Sequence, residues 1–330
     1  MAHKYNKETT SDELVKDFAP CIKGSVIITT GVSPGGVSEH FVRTIARGEP
    51  ALMIFAGRSV EKTQKVADTV TAEHPNVKVR VLKVDLGSLA SVREAAAAVN
   101  GWADVPYVDV LVNNAAVMAV PYHLTSDGFE SQFGTNHLGH FLFTNLIIDK
   151  IMASKNPRIV NVSSDGHRLN PIRWDDLNFD GGKTYNKWQA YGQSKTANML
   201  FSLSLAERLG PKGLLAFSLH PGHVMGTTLG AHCDWSVDFE TLHKLLGNKD
   251  GWSEGFSLKD KEHGAATHVF AAYSPDIKEH NGGYFQDSRL ADPYNDIVKP
   301  WATSPIEADR LWKLNAPAKD TGNPVPRKEA

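Results

Sequence analysis

A short apolar run, Ser25-Val-Ile-Ile-Thr29, is followed at once by the turn Gly31-Val-Ser-Pro-Gly-Gly-Val37. Glu39 to Arg47 comes next, with Phe41, Val42, Ile45 and Ala46 at helical spacing. Strand, glycine turn and helix in direct succession limit the fold more than any other stretch. Glycines let a backbone approach a phosphate closely, and the N-terminus of the following helix offers free N–H groups and a partial positive charge. An ordinary loop of turn-forming residues is the competing reading, but it accounts for nothing downstream.

The unit then repeats. Ala51 to Ala56 is a short apolar strand, and after Gly57-Arg58 the hydroxyl of Ser59 is placed to cap a helix that His74-Pro75 ends. Val77 to Val84 alternates as a strand up to Asp85-Leu86, and Ser91 to Asn100 is an alanine-rich helix. Val108 to Val112 runs into Asn113-Asn114-Ala115-Ala116. A long helical pattern over Phe129 to Met152 carries Asn136, a poor helix former that marks a break or a function. Arg158 to Val162 is a fifth strand before Ser163-Ser164, and Leu214 to Leu219 a sixth before His220-Pro221-Gly222. A helix at Glu262 to Tyr273, a short strand at Gly283 to Gln286 and a helical turn at Ala308 to Lys313 complete the series. This alternation predicts an α/β, doubly wound Rossmann fold with a parallel sheet of about seven strands and helices on both faces. Short continuous apolar strands suit a sheet buried on both sides.

The expected organisation is one domain over residues 23–313, with a polar extension at 1–22 that includes a short helix near Asp12 to Phe18, and a frayed tail at 314–330. Residues 225–258 carry Trp235, Phe239, Trp252 and Phe256 without a clear period and read as a substrate lid, or as a flap over the core. With 330 residues, 41% of them hydrophobic, the chain has ample core for this. A net charge of -2 provides no footprint for nucleic acid or an anionic membrane surface. No segment approaches the apolar length of a membrane span. Two distant cysteines, Cys21 and Cys233, fit reduced thiols and a cytoplasmic protein.

Tyr191-Gly-Gln-Ser-Lys195 places a phenol and an ammonium on one face of a predicted helix. At about 4 Å and an effective dielectric of about 20 their attraction is roughly 4 kcal/mol, enough to draw the phenol down toward neutrality. By itself the spacing is common, and a solvated helix pair is the plain alternative.

The order of these motifs resembles the short-chain dehydrogenase/reductase superfamily, and within it the retinol-dehydrogenase-like carbonyl reductases of fungi, over most of residues 24 to 313. Thr30-Gly31, Asp85-Leu86, Asn113-Asn114-Ala115, Asn136, Ser164, Tyr191-x-x-x-Lys195 and Pro221-Gly222 occur in the family's sequence. The resemblance implies that Tyr191 is the acid of carbonyl reduction, or the base of the reverse reaction, with Ser164 polarising the carbonyl. It also implies that Lys195 lowers the phenol pKa and holds the nicotinamide ribose, and that Asn136 supports a water in a proton relay. It assigns the cofactor site to Gly31, Ser33, Gly35, Gly36, Val37, Asp85, Leu86, Asn113, Ala115, Pro221, Gly222, Val224 and Thr227, together with Tyr191 and Lys195. Two departures stand out. Val37 or Ser38 occupies the place of a third glycine, which predicts looser packing or a rebuilt turn, and Ala116 replaces a frequent glycine.

Arg58 follows the second strand where NAD-preferring relatives carry an acid, and a guanidinium suits a 2′-phosphate, so the expected cofactor is NADP(H). Val117, Met118, His167, Trp188 and His223 are expected to line the pocket of a small carbonyl or alcohol substrate, bulky and apolar or aromatic. No metal is expected, because His137 and His140, three apart, lack a third ligand. The resulting function is NADPH-dependent reduction of a ketone or aldehyde. NADP-dependent alcohol oxidation and a non-catalytic dinucleotide sensor on the same fold are the alternatives. A homo-oligomer stays open, since the helices at 129–152 and 190–209 pair subunits in many relatives.

Overall fold

The computed structural model describes residues 4–224, 226–246 and 258–320. After α1 (Ser11–Asp17) and α2 (Ala19–Ile22), strands and helices alternate: β1 (Val26–Thr30), α3 (Val37–Ala46), β2 (Leu52–Gly57), α4 (Val60–Glu73), β3 (Lys78–Lys83), α5 (Leu89–Gly101) and β4 (Val110–Asn113). Next come α6 (Ser131–Phe133), a π turn at Gly134–Leu138, α7 (Gly139–Leu146), α8 (Ile148–Met152), β5 (Arg158–Val162), α9 (Lys187–Leu209), β6 (Leu215–His220) and β7 (His223–Val224). The chain closes with α10 (Trp235–Leu246), β8 (Leu258–Lys259), α11 (Lys261–Tyr273), β9 (Tyr284–Gln286), β10 (Arg289–Leu290) and α12 (Pro305–Asp320).

The main sheet has 8 strands in the order β10-β9-β6-β5-β4-β1-β2-β3. The run from β9 to β3 is parallel, as expected, and β10 adds an antiparallel edge. Successive residues of a strand face opposite sides. Ile28, Ile54, Leu111 and Ile159 therefore pack with α5, α7 and α9, whereas Ile27, Met53, Val110 and Val160 pack with α3 and α11. The strand order reverses between β1 and β4, which opens a crevice at their carboxyl ends.

Three expectations about the ends and insertions change. Residues 4–22 are not a mere polar extension: Leu14, Val15 and Phe18 are buried, and Phe18 stacks with Tyr5 and Phe270 at centroid distances of 5.8 and 6.4 Å. Phe18→Ala should lower unfolding stability by about 3–5 kcal/mol in urea titration. A loss below about 1 kcal/mol would show that this segment does not belong to the core. At the other end α12 continues past Lys313 to Asp320. Its Trp312 packs on Phe141 and Phe201 at 5.2 and 6.2 Å, and Ser204 Oγ donates to Ala308 O. It thus covers one face of α7 and α9, the helices through which a homo-oligomer had been left open. Within 225–258 a helix, α10, replaces the patternless insertion; Trp252 and Phe256 lie outside the described residues.

Candidate active site

The glycine turn sits where β1 meets α3. Gly31 has φ +74°, and a Cβ there would lie 2.6 Å from Ala115 Cα, so the turn and the β4 loop touch backbone to backbone. The missing third glycine is accommodated as a rebuilt turn. Val37 opens α3 partly buried against the core, and Ser38 Oγ donates to Gly31 O at 2.9 Å. Gly36 caps α3 without a side chain, while the Gly35 N–H is taken by the Glu39 carboxylate at 2.7 Å. Thr228 lies 3.9 Å from where a Gly35 Cβ would stand, which brings the loop after β7 over the turn.

The expected break at Asn136 is a π turn, a distortion that recurs at functional sites. Asn136 Oδ1 accepts from Val117 N, and its Nδ2 donates to Val117 O and to Ser194 Oγ at 2.8 and 3.0 Å. Ser194 in turn donates to Tyr191 O at 2.7 Å. The Asn136 side chain therefore fastens the β4 loop to α9, with every amide hydrogen engaged. Its main-chain carbonyl faces His140 Nδ1 at 3.0 Å. A carbonyl only accepts, so Nδ1 carries the proton and Nε2 accepts from Thr30 Oγ1 at 2.8 Å. Burial holds the His140 imidazole down at about 4, hence neutral. Thr30 Oγ1 also accepts from the N–H groups of Asn114 and Ala115. The Asn113 side chain, expected at the cofactor, is buried, and its Nδ2 donates to Thr144 Oγ1 and Asn161 Oδ1.

Ser163 and Ser164 are told apart by their partners. Ser163 Oγ donates to Lys195 O at 2.7 Å, whereas Ser164 Oγ donates to Asp165 Oδ1 at 3.0 Å and accepts from Gly166 N at 2.9 Å. The Tyr191 ring lies so close to the 164–166 turn that a Cβ on Gly166 would stand 2.7 Å from Tyr191 Cε1. Lys195 Nζ donates to Val162 O at 3.0 Å and lies 5.6 Å from the Tyr191 ring centre. Electrostatics run opposite to the sequence expectation. Burial pushes the phenol well above its ordinary range, Ser164 pulling the other way, and burial draws the Lys195 ammonium down to about 7. Desolvation of both groups outweighs their mutual attraction.

A family model described as short chain dehydrogenase matches residues 25–176. Human retinol dehydrogenase 13 is 37% identical over 295 residues, covering 89% of this chain and 84% of its own length. Human retinol dehydrogenase 11 is 35% identical over 294 residues, with 89% and 85% covered. The chain belongs to the short-chain dehydrogenase/reductase family. Among solved structures, an uncharacterized protein from Mycobacterium paratuberculosis superposes with TM-score 0.68 and 30% identity over 93% of this chain and 96% of that one. An NADPH-bound carbonyl reductase from chicken fatty liver shares the fold at TM-score 0.58 and 17% identity, over 82% and 99%.

As a short-chain dehydrogenase, the chain is an oxidoreductase acting on CH–OH or C=O groups with a nicotinamide dinucleotide. Its crevice fits such a group: α3 begins without a side-chain cap, and Lys195 is a buried ammonium with no anionic partner among the described residues. At the outer edge, a cavity of about 680 Å³ is lined by Arg58, Lys83, Asp85, Ser88 and Trp102 among others. Lys83 is a residue that sequence reasoning missed; the pairing of Gly57 with Lys83 sets it beside Arg58. Leu86 is buried under α7, and the Asp85 carboxylate caps its own turn by accepting from Gly87 N.

Of the expected pocket residues in this dehydrogenase, Met118 and Trp188 cluster with Tyr191, Ala119, Leu169 and Leu242 of α10. Trp188 Nε1 donates to Asp238, which also pairs with Lys187, so α10 is latched over Tyr191. Val117 is positioned by Asn136. His167 does not line the pocket: it is 1% exposed, its Nδ1 bonds Ser164 O and its Nε2 accepts from Lys299 N. The segment around Lys299 closes over it, which no local pattern announces. His223 pairs with Asp165 at 2.7 Å. Gly222 lets Lys259 pass, and Val224 pairs in register with Lys259. No described helix is long and apolar enough to cross a membrane.

Proposed function

We propose that this chain reduces a bulky, apolar ketone or aldehyde to an alcohol with NADPH. The observation that carries this reading is the packing of the buried Tyr191 ring and the Ser164 hydroxyl against the same residue, Gly166, where a Cβ would stand 2.7 Å from Tyr191 Cε1 and 3.3 Å from Ser164 Oγ; burial keeps the phenol protonated at neutral pH. When bound, NADPH supplies a hydride to the carbonyl carbon. Gly31, Ser33, Gly35, Gly36 and Val37 would hold its pyrophosphate at the start of α3, with Ala115, Pro221, Gly222 and Thr227 closing the crevice. Lys195 would hold the nicotinamide ribose. Tyr191 gives its proton to the carbonyl oxygen as charge develops there, and Ser164 donates a hydrogen bond to the same atom. Asn136 positions Tyr191 through Ser194 and the β4 loop through Val117.

Arg58 and Lys83, both exposed at the ends of neighbouring strands, support NADP(H) over NAD(H). Charge-assisted hydrogen bonds of about 1.5–3 kcal/mol correspond to roughly 10–100-fold in kcat/KM favouring NADPH, and Arg58→Asp should remove most of it. A wild-type preference for NADH sinks the cofactor assignment.

The apolar ceiling of Trp188, Leu242 and Met118 supports a bulky substrate, as do relatives named for retinol. A carbonyl panel that includes retinal, followed by NADPH consumption, tests the activity. Bound NADPH without turnover across that panel would favour the non-catalytic sensor. Two free thiols, Cys21 and Cys233, support a reducing compartment such as the cytoplasm.

A further inference from the structure

We propose that Asp165, His220 and His223 bind one divalent transition-metal ion, with zinc the best match, beside the Ser164 hydroxyl. Asp165 follows β5, His220 ends β6 and His223 begins β7, and their donor atoms lie within 4.8 Å of one another. His223 Nε2 stands 2.7 Å from Asp165 Oδ2, and His220 Nε2 stands 3.9 Å from Oδ1 of the same carboxylate. The second distance is the informative one. It is too long for a hydrogen bond, yet His220 is only 4% exposed and its Nδ1 is also without a partner. A buried imidazole aimed at a carboxylate across that gap calls for a cation between them. Two atoms each about 2.1 Å from one ion stand about 3.4 Å apart at the tetrahedral angle, and farther apart at wider angles. A water hydrogen-bonded to both would hold them more than about 4 Å apart.

To admit the ion, the 2.7 Å contact must open by roughly 0.7 Å. The His223 side chain, 30% exposed on a two-residue strand, is the one placed to yield. Two imidazoles and a carboxylate leave a coordination position open, the pattern of reactive rather than structural sites. The sequence expectation of no metal weighed His137 and His140, which are buried and lack a third ligand; this donor set joins the stretch His220-Pro221-Gly222-His223 to Asp165, which lies 55 residues earlier along the chain. Ser164 Oγ donates to Asp165 Oδ1 at 3.0 Å, so an ion drawing density from that oxygen loosens its hold on the serine proton. That consequence rests on the reductase reading; metal binding does not.

The test uses the full chain, stripped with a chelator and free of cofactor and substrate. Co²⁺ is titrated by visible absorption and Zn²⁺ by competition with a chromophoric chelator. One equivalent per chain is expected, with affinity reduced about 100-fold in His223→Ala and in Asp165→Asn. His263→Ala, a half-exposed imidazole on Asp260, should bind like wild type. Zn²⁺ should raise the melting temperature of wild type but not of His223→Gln, which separates lost ligation from lost folding. Wild type that binds no better than His223→Ala overturns the proposal. Its failure leaves the NADPH-turnover result untouched, and absence of turnover leaves these binding curves untouched.

Discussion

Tyr191→Phe is expected to lower kcat by about 10³-fold while the Kd for NADPH stays within about twofold. The substitution removes one oxygen from a side chain that is 5% exposed and leaves the ring against Gly166 and Trp188. The crevice that would hold the dinucleotide is built from other segments. Loss of the proton donor leaves Ser164 as the remaining donor to the carbonyl oxygen, and one well-placed donor contributes far less than two. Stopped-flow turnover with NADPH, paired with fluorescence titration of NADPH, measures both numbers. Unchanged kcat would remove Tyr191 from its role. A large loss of NADPH affinity would recast the phenol as a binding group.

Unfolding stability of the cofactor-free protein should rise by on the order of 4 kcal/mol between about pH 7 and pH 10, and Lys195→Met should flatten that rise. The Lys195 ammonium is drawn down to about 7 by burial, against roughly 10.4 in an unfolded chain. Below pH 7 both states hold the proton, and the folded state carries the full cost of burying the charge. Between the two values the unfolded chain binds a proton that the folded chain has released, so stability increases with pH. Val162 O, the Tyr191 ring and the neutral His140 surround the amine, and none offers a compensating anion. Above about pH 10 the trend reverses, because the unfolded phenol ionises while buried Tyr191, held above its ordinary value, does not. The measurement is a urea titration series of wild type and Lys195→Met across pH. Parallel profiles would show that the ammonium stays charged in the fold.

Much of the framework was legible because its signals are local. Ser59 capping α4 and the strand at Arg158–Val162 follow from residues a few positions apart, whereas α9, expected from Tyr191, begins at Lys187 under the Asn186 cap. The break at Asn136 was also visible as a poor helix former, although its form, a π turn, was not. The N-terminal helix was placed, but the burial of Leu14 and Phe18 was underread because the flanking residues are so polar. His167 was misplaced for a comparable reason. Its chain position is at the site, yet the 299–301 segment that seals it lies more than a hundred residues away.

The sequence by itself determined the alternation of strands and helices, the glycine turn, the Tyr191/Lys195 spacing and the anomaly of Asn136, each a matter of pattern within one element, while the choice of Ser164 came from the family resemblance. Only the tertiary structure showed that Ser163 is tied to Lys195 O and Ser164 to Asp165, and that Lys83 stands beside Arg58. The gathering of Asp165 with His220 and His223, and the opposite drift of the phenol and the ammonium, were decided there as well. Strand order and register bring distant residues together, and desolvation sets their charge; both depend on what surrounds a residue, which spacing along the chain does not record.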